Sequence, residues 1–183
     1  NELMKLMDNE PHDFIHHHSP KERKRFTAFK HRTLQPDDVI YLVEVLQSYY
    51  KENDSLENAF ANFLDEGHVD TYHALVGFHD TLFDQPWVIE RTRKHISTPS
   101  RKSSCKRLNM YLRWMARKDD KGVDFGLWKK ISPTQLVIPL DLHVGRVARQ
   151  LKLLKREQND WQAAKELTDK LKEFDAQDPV KYD

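Results

Sequence analysis

Two side chains in this sequence have the types that chemistry on a polyanion would use, Lys106 and Asp141, 35 positions apart. An amine attacks carbon only when it is neutral. It therefore needs its pKa lowered by desolvation, by cations nearby in sequence such as Lys102 and Arg107, or by the positive end of its own helix. A carboxylate held near an anomeric carbon stabilises the oxocarbenium charge that develops as an N-glycosidic bond breaks. Each residue also has a plainer reading. Asp141 would serve as a helix N-cap contributing about 1 kcal/mol, and Lys106 as a phosphate contact or a solvated lysine of a basic helix. Three further candidates stay open in the same way. Cys105, beside cations, is either an activated thiolate or a small buried residue. His143 is a surface or packing histidine or an acid–base group. The run His16-His17-His18 has no partner set with metal-ligand spacing, so no metal is expected.

The elements that must place the two residues lie in one stretch, residues 104–149. A basic amphipathic helix is expected over 103–117, with Leu108, Tyr111, Leu112 and Met115 on its apolar face and Lys106 near its start. A glycine-containing loop follows. Leu136-Val137-Ile138-Pro139-Leu140 is too short for a helix and carries a proline, so it reads as a buried extended connector. It delivers Asp141 to the start of a second helix over 142–151.

Charge is unevenly spread. Lys and Arg number 30 against 29 Asp and Glu, so the chain is nearly neutral. Yet from Arg91 to Lys118 there are ten cations and no acid. Such a stripe fits a phosphate-binding face better than a generally sticky surface. Its members Arg91, Arg93, Lys94, Arg101, Lys102 and Arg107, with Ser103, Ser104, His143 and Arg146, are the candidate nucleic-acid contacts, since hydroxyls and helix starts bind phosphate as cations do. The single cysteine excludes an internal disulfide, a cysteine-rich zinc site and a cysteine-ligated iron–sulfur cluster. No cofactor is expected. Neither a signal peptide nor an apolar run of membrane-spanning length is present, so the expected location is cytoplasmic, and a nucleic-acid face would make it nucleoid-associated there.

The rest of the chain reads as helices. Periodicity and caps predict the tail of a helix over 1–7 and a basic helix over 21–29 opened by Ser19-Pro20. A long helix is expected from Pro36, another from Leu56 to near Gly67 with Phe60, Phe63 and Leu64 inward, and one from Asp70. A short helix is expected over 87–96, and a last one capped by Asp160 or Asn159, with Phe174 packed and Pro179 as its stop. Five glycines and eight prolines are too few for a turn-rich β protein. The fold class is therefore all-α: a helical bundle in two packed lobes, 1–96 and 97–183 of a single domain, expected to be incomplete at both termini.

The strings CKRLNMYLRWMARKDD and PLDLHVGRVARQL resemble an uncharacterised bacterial family, of Bacteroidetes type, that carries CKRLNMYLRWM followed by PxDxHV. More distantly they are similar to the helix-hairpin-helix (HhH-GPD) DNA glycosylase superfamily, of the endonuclease III and 8-oxoguanine glycosylase type. That superfamily has a hairpin ending in a lysine at a helix start, then V-D-x-H at the next helix start. The resemblance implies that Lys106 is the Schiff-base lysine, that Asp141 assists base removal, and that His143 and Arg146 follow in the DNA-facing helix. It covers about 104–151; the glycine-rich hairpin of the superfamily is replaced here by Thr98-Pro99-Ser100-Arg101-Lys102-Ser103-Ser104. The implied function is a base-excision glycosylase, alone or with AP-lyase activity, acting on damaged duplex DNA with no membrane partner. The alternatives are a non-catalytic nucleic-acid-binding protein on the same scaffold, or a helical protein–protein adaptor.

Overall fold

In a computed structural model, which describes residues 2–183, the chain is all-α: α1 (Glu2–Leu6), α2 (Pro11–His17), α3 (Pro36–Tyr50), α4 (Glu57–Ala61), α5 (Tyr72–Phe83), α6 (Lys106–Ala116), α7 (Leu142–Gln150) and α8 (Trp161–Lys172). Short 3₁₀ segments join them, and the described residues contain isolated β-bridges but no strand. The start of the first expected helix at Asn1 lies outside the described residues. No helix among them is long and apolar enough to cross a membrane. The chain forms two compact units, Asn1–Asn58 with Asp80–Ile96, and Ala59–His79 with Ser97–Asp183.

The first unit is built on α3. Gln35 and Asp38 form a reciprocal capping box around Pro36, which suits the first helical turn because its missing N–H would be unpaired there anyway. Phe14, Ile15, Phe26, Phe29, Val39 and Val43 form its core. The basic segment expected as a helix over 21–29 is instead a 3₁₀ turn, Glu22–Ala28. Three residues per turn bring Phe26 and Phe29 onto one face, and both are buried. Ser19, expected as the N-cap, lies two residues ahead of the Lys21 cap position, where it and Glu22 bond each other reciprocally. The segment expected as a helix over 87–96 is likewise a 3₁₀ turn, Glu90–His95. The same three-residue repeat turns Thr92 and His95 toward the buried carboxylate of Asp38.

The second unit surrounds Phe60, which is fully buried and stacked on Phe78 at 4.0 Å, with Trp128 at 5.5 Å. The helix expected to run toward Gly67 stops at Ala61. Phe63, expected inward, is 41% exposed. Its ring lies flat on the backbone of Gly77, where a Cβ would stand 2.0 Å from Phe63 Cγ. The connector over 136–140 is extended and deeply buried, with Leu136, Val137, Ile138 and Leu140 each 1% exposed. Burying such side chains contributes roughly 1.5–3 kcal/mol each, but a buried extended segment without a sheet must find partners for its backbone. The Ile138 N–H bonds the Thr168 hydroxyl oxygen at 3.0 Å, and that hydroxyl donates to the Ala164 carbonyl at 2.7 Å. Pro139 has no N–H to satisfy. At the other end, α8 is capped by Asp160 and finishes at Lys172, before the expected stop. Pro179 opens a 3₁₀ turn, Pro179–Tyr182, and Phe174, expected to pack, is 60% exposed.

Candidate functional site

Lys106 and Asp141 meet within the second unit. The Lys106 ammonium lies 3.7 Å from Asp141 Oδ2, with the two side chains 42% and 41% exposed. Each stands at a helix start: Lys106 is the first residue of α6 and Asp141 the N-cap of α7.

A turn without glycine leads into α6. Lys102 (φ 62°) and Cys105 (φ 51°) both take the left-handed conformation, which for a residue with a Cβ costs roughly 1–2 kcal/mol. Cys105 is therefore the N-cap in backbone terms, and α6 starts at Lys106 rather than at Ser103. The turn is tied down from several sides. Ser103 bridges Asp160, and the Trp161 N–H donates to the Lys102 carbonyl at 3.4 Å. The Ser103 hydroxyl oxygen accepts the Cys105 N–H at 3.1 Å. The Ser104 hydroxyl donates to the Leu140 carbonyl at 3.1 Å, and the buried Asn109 amide donates to the Ser104 carbonyl at 3.0 Å. Ser103 and Ser104, expected as phosphate contacts, thus make bonds inside the fold. Ser104 has a positioning role instead, because Leu140 immediately precedes Asp141.

The two oxygens of Asp141 have different surroundings. Oδ1 accepts the Val144 N–H at 2.9 Å, the ordinary N-cap bond, while Oδ2 faces Lys106. The Val144 N–H holds the carboxyl below the usual carboxylate range, against a smaller opposing effect of burial and with help from the His143 N–H and the Lys106 charge. Asp141 is therefore a fixed negative charge at neutral pH. Its backbone is gripped from behind: the Asn159 amide donates to the Asp141 carbonyl at 3.1 Å, and Arg149 donates to Asn159 Oδ1 at 2.6 Å. Gly145 makes room for this bracket, since a Cβ there would lie 2.7 Å from Asn159 Oδ1. A glycine inside a predicted helix was the one sequence signal pointing to that packing.

The basic stripe divides. Arg91, Arg93 and Lys94 belong to the first unit, the remainder to the second. Arg91 bonds the buried Asp38 carboxylate at 2.8 Å. Arg93 bonds Glu90 at 2.9 Å and lies over the Phe83 ring. In the second unit Arg113 and Arg117 both bond the buried Asp124, and Arg117 also bonds Asp178 at 2.9 Å. The acids come from outside the 91–118 window, which is why the sequence stripe looked uncompensated. Arg101, Lys102, Arg107 and Lys118 are exposed. His143 and Arg146, also exposed, approach each other at 3.3 Å on α7. Cys105 is buried, its thiol pushed up by burial and turned toward the Ser103 carbonyl, as a packed small residue would be.

Sequence reasoning passed over Asp183. Its side chain is 10% exposed and accepts from Arg113, and it lies within electrostatic reach of Lys106 and Asp141. With His143 it borders an apolar groove of about 550 Å³ walled by Val147, Leu151, Leu171 and Phe174. No sequence spacing links it to Lys106; the two are related only through Arg113, which lies two turns along α6 from the lysine.

The family model described as "Protein of unknown function (DUF2400)" matches residues 1–183, and the chain belongs to that family. No curated protein and no solved structure matches it.

Proposed function

We propose that this member of the DUF2400 family is a DNA base-excision glycosylase with AP-lyase capability, on a scaffold of the helix-hairpin-helix glycosylase kind. The observation that supports the reading best is the approach of Lys106 Nζ to Asp141 Oδ2 at 3.7 Å, from two helix starts held together by the Ser104–Leu140 bond. As an ion pair between groups about 40% exposed, this contact stabilises the fold by less than about 1 kcal/mol, so stability alone gives little reason to build it.

In this reading a damaged base is flipped out of the duplex, because its glycosidic bond is out of reach inside the stack. The Lys106 amine attacks the anomeric carbon. The Asp141 carboxylate, kept ionised by backbone N–H groups, faces the positive charge that develops on the sugar. Exposed Arg101, Lys102, Arg107 and Arg146 hold phosphates, and the left-handed turn at Lys102 and Cys105 stands where a glycine hairpin would grip the backbone.

Borohydride trapping on duplexes carrying abasic sites or damaged bases tests the reading. The expected result is a covalent adduct with the wild-type chain and none with Lys106→Ala. Salt-sensitive binding with no adduct on any substrate would replace the enzyme with a non-catalytic DNA-binding protein.

A further inference from the structure

The loop that follows α6 sorts its side chains in the reverse of the usual sense, acids inward and apolar groups outward. Asp124 is buried and engaged by Arg113 and Arg117. Asp119, with 10% of its side chain exposed, meets Arg117 and accepts the Lys121, Val123 and Asp124 N–H groups at 3.0, 3.3 and 3.5 Å. Burial then alternates. Asp124, Gly126 and Trp128 are buried, while Val123, Phe125 and Leu127 are 49%, 56% and 65% exposed. The backbone of this stretch is fixed to the end of α6. The Phe125 N–H donates to the Trp114 carbonyl at 2.7 Å, and the Trp128 N–H to the Met115 carbonyl at 2.8 Å. Lys118 bridges Phe125, and Gly126 turns the chain beside it with φ 60°, where a Cβ would stand 2.6 Å from Lys118 Cβ.

Trp114 is itself 40% exposed, so four large apolar side chains stand in water on a rigid support. Apolar side chains exposed singly need no explanation, but a neighbouring group of them marks an interaction site. Lys118, Lys121, Lys129 and Lys130 are exposed around the group, against Asp120 among the acids of the loop. An anionic partner with apolar faces complements such a surface. The layout of the charges decides which kind. Trp114 and Arg107 are seven residues apart on α6, hence on one face, and both are exposed. Arg101 and Lys102, just ahead of that helix, are exposed as well. Cations therefore continue from the loop along the helix, with Lys106 about 12 Å from Trp114 at the helical rise per residue. A lipid surface calls for cations gathered beside one broad apolar face. Cations that run on beyond a small apolar group fit a chain of phosphates whose flat bases stack on aromatic rings.

We propose that Trp114 and Phe125, with Val123 and Leu127 beside them, form a stacking surface for unpaired nucleobases, and that Lys118 and Lys121 hold phosphates of the same single strand. Every base has a flat face, so the surface takes single-stranded nucleic acid with little preference for sequence. It needs no reaction at Lys106, and goes beyond the glycosylase reading in serving a non-catalytic binder equally well.

Fluorescence anisotropy with a labelled oligothymidylate of about 12 nucleotides tests this. The wild-type chain is expected to bind it. Phe125→Leu, which keeps an apolar side chain and removes the ring, is expected to bind roughly 10-fold more weakly. Lys121→Ala should lower the slope of log affinity against log salt by about 0.7. Tryptophan emission should be quenched on binding, and Trp114→Phe should lose most of that quench. Wild-type affinity in Phe125→Leu, or an unchanged quench in Trp114→Phe, would overturn the proposal. Should Phe125→Leu lose its folded circular-dichroism signal, the Trp114 quench decides. Absence of binding to the oligonucleotide would also overturn it, and binding instead to vesicles of phosphatidylserine and phosphatidylcholine would make the loop a membrane contact. None of these outcomes depends on a borohydride adduct at Lys106, so this surface and the glycosylase reading fail separately.

Discussion

Asp38 and Asp141 are both aspartates in the first turn or cap of a helix, both bonded to a backbone N–H and both beside a cation, yet they do opposite things. In the first unit Asp38 is fully buried, and three hydrogen bonds reach its carboxylate. The Gln35 N–H and the Arg91 guanidinium reach it at 2.8 Å and the Thr92 hydroxyl at 2.7 Å, with His95 Nε2 at 3.2 Å. In the second unit Asp141 is 41% exposed, and its Oδ2 faces Lys106 at 3.7 Å. A buried carboxylate bonded through both of its oxygens is a fastener. One left half-filled beside an amine, in reach of solvent, is available to something else.

The comparison breaks most visibly at Asp38. Replacing it with alanine removes the bonds to the Gln35 N–H and the buried Thr92 hydroxyl, while Arg91, 43% exposed, turns to water; leaving such polar groups unpaired costs about 1–3 kcal/mol each. Urea denaturation should show that loss, and a change below about 1 kcal/mol would mean the cluster is not the fastener it looks. Acid sharpens the test. Burial pushes the Asp38 carboxyl up, but the Gln35 N–H, the Thr92 hydroxyl and the Arg91 and His95 charges outweigh it and hold it below the ordinary value. The native state therefore binds fewer protons than the unfolded chain between the two pKa values. The stability this contributes is complete above the unfolded value, about 3.9, and is lost as pH falls through the folded one. The urea midpoint of Asp38→Asn should fall less steeply below pH ~4 than that of the wild type. Parallel slopes would remove Asp38 from the acid response.

Gly145 comes next in size. Alanine is the better helix former by about 1 kcal/mol. Here its Cβ would meet Asn159 Oδ1 at 2.7 Å and Arg149 Nη1 at 2.8 Å, the two side chains that grip the Asp141 backbone. Overpacking of that kind typically costs about 1–3 kcal/mol. Gly145→Ala is thus expected to destabilise, in spite of propensity. A rise in melting temperature would show that the Asn159 bracket yields freely and does not hold Asp141.

What the sequence made legible followed from short-range chemistry. The α3 start at Gln35-Pro36, the Asp141 and Asp160 caps and the buried 136–140 connector all depend on residues within four positions of one another. The errors lie where a distant part of the chain decides. The helix expected past Ala61 yields to Phe63 lying on Gly77, and two expected helices become 3₁₀ turns because their apolar or polar contacts repeat every three residues. The cation stripe seemed free because Asp38, Asp124 and Asp178 are brought to it only by folding. Asp183 escaped for the same reason: its relation to Lys106 passes through Arg113, and no sequence window contains all three.

The smallest stability effects are expected at the pair itself, and their smallness is the point. Asp141→Ala removes the bond to the Val144 N–H, and loss of an aspartate N-cap costs about 1 kcal/mol. Lys106→Ala removes an exposed partner 3.7 Å away and should shift stability by no more than about 0.5 kcal/mol. Because the coupling across such a pair is weak, the double variant should show nearly the sum of the two single losses. Chemical denaturation of the four proteins measures this directly. A coupling of 2 kcal/mol or more would make Lys106 and Asp141 a fastener of the Asp38 kind, and the fold would then account for the pair without any reaction. Near-additivity leaves stability with no claim on the arrangement, so that two helix starts and the Ser104 bond between them hold an amine beside a carboxylate for a purpose the fold itself does not require.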